Sequence, residues 1–208
     1  LGHVDFFNGF ADRLALDDAG RGTMRELIDR KETEELTEFL KDYADAESCD
    51  AFCRVATLVG KRETIEEARG LVTNETSRIA LDDLERVYAI AEAIGIDSHI
   101  DIDLGDVGGL DYYTGLTFKI FVRGLGTALG RGGRYDRLLA KFGSPEPAVG
   151  FSICLDWLAQ LLAGQVAKQT GIDSETAARL TAARNEEIVA VFKEATRLRA
   201  AGRKVQIV

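Results

Sequence analysis

Proline is nearly absent from this chain, with two in 208 residues, and there are only two histidines and one tryptophan. So little proline, beside 8% aromatic residues, excludes a disordered or low-complexity polymer. The three cysteines, Cys49, Cys53 and Cys154, are odd in number and follow no framework spacing. That excludes a disulfide scaffold and points to reduced thiols in a cytoplasm. With only His3 and His99 to add, four-ligand zinc lacks ligands, and Cys49 and Cys53, four apart on a helix, read as core packing. No apolar run approaches the ~20 residues that span a bilayer, so no membrane association is expected. Neither a P-loop nor a strand–GxGxxG–helix unit occurs, and no cofactor is expected. Positive charge is in deficit: 26 Lys and Arg stand against 35 Asp and Glu, a formal charge of −9. A grip on a long polyanion would normally show a basic face, so nucleic acid is not an expected partner. Also lacking at Leu1 are an initiator Met and a basic leader, an opening that reads as the inside of a longer protein.

What is present is ordinary for a soluble domain with one substantial core: 46% apolar and 29% charged residues. Residues 1–96 read as a mostly helical segment with an insertion subdomain. Thr33 and Asn74 stand as helix caps, Gly60 and Gly95 as stops, and Ile79, Leu84, Val87, Ile90, Ala91 and Ile94 as one apolar stripe. The texture changes near Ile96. Ile100, Ile102 and Leu104 alternate with acids, and Leu116, Phe118, Ile120 and Val122 alternate with Thr117, Lys119 and Phe121, both the period of half-buried strands. Residues 127–131 read as the hairpin partner of the second strand. Residues 135–142 read as a short helix closed by Gly143, and 149–155 as a strand too buried to alternate. Residues 97–163 thus form a sheet-rich unit, and 164–208 a linker and the start of a small α/β unit, with a helix over 185–201 stopped by Gly202. Antiparallel strands flanked by helices make the expected class α+β.

Chemistry concentrates in the middle. Nine of the 21 glycines fall between Gly105 and Gly133, where backbone must turn sharply or let a ligand come close. Residues 110–145 reverse the charge of the chain, with Lys119, Arg123, Arg131, Arg134, Arg137 and Lys141 against Asp111 and Asp136, an excess that suits a compact anionic ligand. The adjacent Tyr112 and Tyr113, read as strand residues, would send one phenol to each face of a sheet. The inward ring could stack on a ligand and exchange a hydrogen bond with it.

Three segments carry a family resemblance. Gly109-Leu110-Asp111-Tyr112-Tyr113-Thr114-Gly115 and Gly132-Gly133-Arg134-Tyr135-Asp136 resemble the two histidine-specific signatures of histidyl-tRNA synthetases. Ala148-Val149-Gly150-Phe151-Ser152-Ile153-Cys154-Leu155-Asp156 resembles class II synthetase motif 3, and Leu1-Gly2-His3-Val4 the stretch just after motif 2. The resemblance covers roughly residues 1–163. It implies a class II synthetase-like antiparallel sheet, with motifs 1 and 2 lying outside this chain. It also implies a histidine site at Leu110, Asp111, Tyr112, Tyr113, Thr114, Gly115, Arg134, Tyr135 and Gly150, with Gly115 and Gly150 keeping side chains out of the pocket.

Two departures bear on activity. Gly108 stands where the synthetase signature begins with an arginine that meets carboxylate and phosphate charge, and Trp157 stands where motif 3 ends in an arginine that clamps ATP. Neither replacement carries charge, and no residue here is expected to be catalytic. The remaining pattern, Tyr112 to Phe118 and Leu129 to Asp136, is similar to that of the regulatory subunits of ATP phosphoribosyltransferase. That likeness implies a non-catalytic, cytoplasmic role in histidine biosynthesis and its feedback. The implied partners are the short-form catalytic subunit, a second copy in a dimer, and histidine. An active histidyl-tRNA synthetase and a synthetase-like module serving only for binding or dimerisation are the alternatives.

Overall fold

The computed structural model describes residues 1–107, 112–163, 178–180 and 185–207. A two-residue strand, β1 (Gly2–His3), leads into helices α1 (Val4–Ala11), α2 (Asp18–Asp29), α3 (Thr33–Leu40) and α4 (Ala46–Thr57). After β2 (Val59–Gly60) come α5 (Arg62–Leu71) and the long α6 (Glu75–Ile94). Short acidic and amide side chains start several of them: Asp17, Asp45 and Asn74 accept from the backbone N–H of Gly20, Ser48 and Ser77 at 2.8, 2.8 and 2.7 Å. Gly95, at φ 78°, closes α6 in the left-handed conformation that favours glycine. Two sequence expectations shift. Thr33 is the first residue inside α3 and not its cap, and Gly60 belongs to β2, because α4 has already ended at Thr57.

The core lies among these helices. Phe6, Phe10, Met24, Ile28, Leu36, Leu40, Ile65, Leu81 and Leu84 are sealed from solvent, and Phe10 meets Phe52 edge-on at 5.1 Å. Cys49 is buried in the same cluster and Cys53 packs against it, as read from their spacing. The stripe of α6 is rotated from expectation. Ser77, Ala80, Leu81, Leu84, Tyr88 and Ala91 face inward, while Ile79 remains 53% exposed. Small side chains at 77 and 80 let α1 come close, and Ser77 Oγ donates to the Phe6 carbonyl at 2.9 Å. Close packing has outranked hydropathy here.

His3 sits at the seam between strand and helix. Its Nδ1 accepts from Asp5 N–H at 3.2 Å and its Nε2 lies 3.7 Å from an Asp83 carboxylate oxygen on α6. Burial pushes the imidazole pKa below its ordinary 6.5, with the Asp5 and Asp83 carboxylates pulling the other way. A lowered folded-state value means the neutral ring is the one the fold prefers. Stability is then complete above pH 6.5 and is lost as pH falls through that value toward the lower folded one. Urea unfolding at pH 7.5 and 5.5 should show a larger acid loss for the wild type than for His3→Asn, which keeps a capping oxygen but cannot titrate. Equal losses would place the pH sensitivity elsewhere.

Beyond α6, β3 (Ile102–Asp103) pairs with β2, and Ile102 and Leu104 are buried on the expected side. β4 (Leu116–Ile120), β5 (Gly130–Arg134) and β6 (Val149–Ile153) join β1 in an antiparallel sheet ordered β1-β4-β5-β6. The hairpin partner of β4 is therefore residues 130–134 and not 127–131, so the first three residues of the second glycine signature lie in a strand. In β4 the most buried residue is Thr117; Leu116 packs against the core as alternation assigned, but Phe118 and Ile120 are only half-buried and Phe121, just past the strand, is 68% exposed, so neither face is uniformly buried. Residues 135–142 form only a one-turn 3₁₀ helix, Leu139–Phe142, with Gly143 closing it at φ 88°. The sharpest correction is β6: Val149 and Phe151 are 77% and 68% exposed. It is the last strand of the described sheet, so its apolar side chains lack the covering that a continuous apolar run had suggested.

Helix α7 (Leu155–Ala163) follows β6. Past it, β7 (Ala178–Leu180), α8 (Asn185–Ala200) and β8 (Val205–Ile207) form a strand–helix–strand unit with the strands parallel, and Gly202 ends the helix at φ 79°. Residues 164–177, within the stretch read as a linker, lie outside the described residues. The whole is α+β, an antiparallel sheet with flanking helices. No helix among the described residues is long and apolar enough to cross a membrane.

Candidate functional site

Cross-strand register puts one row of small residues across the sheet. Gly2 pairs with Thr117, Thr117 with Gly133, and Gly133 with Gly150, so a single line crosses all four strands. Paired residues of an antiparallel ladder share a face. The absence of side chains at Gly133 and Gly150 in this row makes a floor on which rings can lie. A Cβ on Gly133 would stand 2.8 Å from two ring carbons of Tyr113, and one on Gly150 would stand 2.3 Å from Tyr135 Oη. Both glycines are required by what sits over them.

Three tyrosines gather there. Tyr112 and Tyr113 have ring centroids 4.8 Å apart, Tyr112 and Tyr135 5.6 Å in an edge-on contact, and Tyr113 and Tyr135 6.4 Å. Such spacings are those of mutually attractive aromatic pairs. The two adjacent tyrosines do not point to opposite faces, as strand alternation had implied. They stand just before β4, in non-strand backbone, which lets both rings turn the same way. Tyr113 is buried, and burial, followed by the neighbouring Tyr112 phenol, raises its pKa above the ordinary phenol value. Its hydroxyl therefore remains a proton donor throughout the neutral range.

The tyrosines wall a cavity of about 220 Å³, which Gly150, Arg131, Leu138 and Ser152 complete. Of the residues expected at the site, Tyr112, Tyr113, Tyr135 and Gly150 are brought together here. Thr114 supports them from behind: its N–H donates to the Arg134 carbonyl at 2.8 Å, and its hydroxyl accepts from Asp136 N–H at 2.9 Å. It also lines a second cavity that shares Tyr112, Tyr113 and Leu138 as its wall.

Two expected residues stand apart. Arg134 lines neither cavity, because its Nε donates to both carboxylate oxygens of Asp136 at 3.0 and 2.8 Å. Gly115 lines neither; its carbonyl accepts from Val4 N–H at 3.0 Å, and an added Cβ would meet Arg134 only at ordinary contact distance, 3.4 Å. Leu110, Asp111 and Gly108 lie outside the described residues. Trp157, on α7, is half-buried and lines neither cavity. Arg131 was missed as a site residue, although it was counted in the basic excess. The signal depends on the observed strand: with β5 running from 130 to 134, and not ending at 131, Arg131 and Gly133 fall on one face by alternation.

A small planar ligand with hydrogen-bonding nitrogens fits this arrangement. Its ring would meet aromatic walls, its polar atoms the phenols, and an acidic group the Arg131 guanidinium. Comparison with known proteins then gives the lineage. The histidyl-tRNA synthetase family model matches residues 1–158. The ATP phosphoribosyltransferase regulatory subunit of Geobacter sulfurreducens is 41% identical over 153 residues, which cover 73% of this chain and 35% of that protein. The regulatory subunit of a Thermoanaerobacter species is 34% identical over 208 residues, all of this chain and 54% of that one. Among solved structures, an ATP phosphoribosyltransferase regulatory subunit/histidyl-tRNA synthetase from Bacillus halodurans superposes with a TM-score of 0.71 at 28% identity, covering 99% of this chain and 52% of that one. The chain thus spans about a third to a half of the length of these relatives.

Proposed function

Since the chain belongs to the histidyl-tRNA synthetase family, and its curated relatives are regulatory subunits of ATP phosphoribosyltransferase, we propose that it is part of such a subunit: non-catalytic, and a sensor of histidine. The observation that carries this reading is the tyrosine triangle on its glycine floor. An imidazole ring lies against the tyrosine wall in the cavity that Arg131 and Gly150 also line, and Tyr113 and Tyr135 exchange hydrogen bonds with its nitrogens. Thr114 and Arg134 serve by fixing the turn that carries the tyrosines, and Leu110, Asp111 and Gly115 belong to the ligand set by the family resemblance alone. By the resemblance of their motifs, Gly108 and Trp157 take the places of arginines that meet phosphate in the synthetases. Losing two such cationic contacts, each worth on the order of 2 kcal/mol or more, removes the step that makes an aminoacyl-adenylate.

In this reading residues 97–163 carry the ligand-facing part of the core, 1–96 the helical segment with its insertion, and 164–208 the opening of a small α/β unit. The partners are a second copy and the short-form catalytic subunit in the cytoplasm, and histidine acts allosterically through the complex. Co-expression with a short-form catalytic subunit tests it. The two are expected to co-purify, with phosphoribosyltransferase activity that falls when histidine is added. Formation of histidyl-adenylate from ATP and histidine by the protein would overturn it.

A further inference from the structure

The tyrosine cavity has a charged end. Beside the glycine row, the cross-strand pairs are Lys119 with Arg131 and Arg131 with Ser152. Side chains two residues apart on a strand share a face, so Arg131 and Ser152 stand on the face where the tyrosines lie over Gly133 and Gly150. Both line the cavity, and Arg131 is the one charged residue among its lining. Two cations directly opposite each other on neighbouring strands repel. Lys119 is held by Asp106 at 2.6 Å, whereas Arg131 makes no ion pair with any described residue. Its guanidinium is within electrostatic reach of the Tyr113 phenol, whose pKa it pulls down against the upward push of burial. Arg131 and Ser152 are exposed, so this end of the cavity opens to solvent.

We infer that Arg131 and Ser152 recognise the carboxylate of the ligand, so that the cavity selects imidazole-bearing acids over the matching amines. This rests on the reading of the tyrosines as an imidazole site. Two residues along a strand span about 7 Å, comparable to the reach from an imidazole ring to the carboxylate of the amino acid that bears it. A ring held at the tyrosines thus brings its acid to the guanidinium, which meets a carboxylate with a planar pair of donors, and the Ser152 hydroxyl donates a further hydrogen bond. The carboxylate also neutralises the cation that faces Lys119, so a charge that costs the empty fold stability favours the loaded one. A protonated amine without that acid meets only repulsion there.

Calorimetric titration with imidazolepropionic acid, which has the acid and no amine, and with histamine, which has the amine and no acid, tests the inference. The acid is expected to bind at least about tenfold more tightly than histamine. Arg131→Gln keeps a long polar side chain without its charge. It should weaken imidazolepropionic acid and histidine by about tenfold and leave histamine unchanged. It should also hold or raise the melting temperature of the ligand-free chain, because it relieves the repulsion from Lys119. Ser152→Ala should cost about threefold to fivefold for the acids alone. Histamine binding as tightly as imidazolepropionic acid to the wild type, or equal losses of both ligands in Arg131→Gln, would overturn the inference and leave the imidazole site standing. No heat from histidine or from either probe would overturn the imidazole site and this inference with it.

Discussion

Gly9→Ala is expected to destabilise the fold by about 2–3 kcal/mol, although it exchanges a poor helix former for the best one inside a helix. Gly9 lies in α1 where that helix crosses the start of α6. An added Cβ would stand 2.3 Å from Ser77 Oγ, 2.4 Å from Asn74 Oδ1 and 2.9 Å from the Ser77 nitrogen. Those atoms are not flexible side-chain ends. Asn74 Oδ1 is the N-cap of α6, and Ser77 Oγ holds the Phe6 carbonyl. The methyl must either part the helices, at about 1–3 kcal/mol for overpacking, or displace the cap, at about 1 kcal/mol. The propensity gain of up to about 1 kcal/mol offsets only part of this. Gly70→Ala is the counterpart. Gly70 sits in α5, where an added Cβ would meet nothing within 4 Å. There the propensity term acts alone, and a gain of up to about 1 kcal/mol is expected. Urea unfolding should therefore move in opposite directions for the same substitution, with the melting temperature of Gly9→Ala lower by about 5–10 °C. Equal effects at the two positions would mean that α1 and α6 are not in this contact.

The contrast between Gly9 and Gly70 shows which parts of the fold were legible in the sequence. Features decided within a few residues were readable: Asn74 as a cap, and Gly95, Gly143 and Gly202 as stops, each now seen at positive φ. Features decided across the fold were not. A glycine inside a helix looks like a cost in either place, and only the neighbour at Ser77 separates the two. The stripe of α6 was misread for the same reason, since Ile79 is more apolar than Ala80 but Ala80 is what fits against α1. β6 looked like a buried strand because its residues are apolar, and apolarity does not say whether a neighbour is present to cover them. At the site, the residue types were legible and their arrangement was not. Three tyrosines and a cluster of glycines could be picked out, but the row from Gly2 to Gly150 exists only through strand register. Arg134 was expected in the pocket from the motif it belongs to, and Asp136, two residues on, holds it outside.

Removing the Tyr113 ring is expected to have the largest effect on ligand binding. Its ring lies against Gly133, and its hydroxyl is kept protonated by burial. Tyr113→Phe keeps the ring on the floor and deletes only the hydroxyl, so histidine affinity should fall by about threefold to tenfold, the worth of one hydrogen bond. Tyr113→Ala deletes the wall as well. It leaves Gly133 facing a void and Tyr112 without its 4.8 Å partner, and a loss of about a hundredfold or more is expected. Because the substitution also opens a cavity beside a central strand, the melting temperature of each variant has to be followed with the titration. The phenylalanine variant is the decisive one, since it changes affinity with almost no change in packing. Histidine heats that are equal in the wild type and Tyr113→Ala, with both folded, would remove the tyrosine triangle from ligand binding. The floor would then have another explanation, namely that Gly133 and Gly150 serve the packing of Tyr113 and Tyr135 alone.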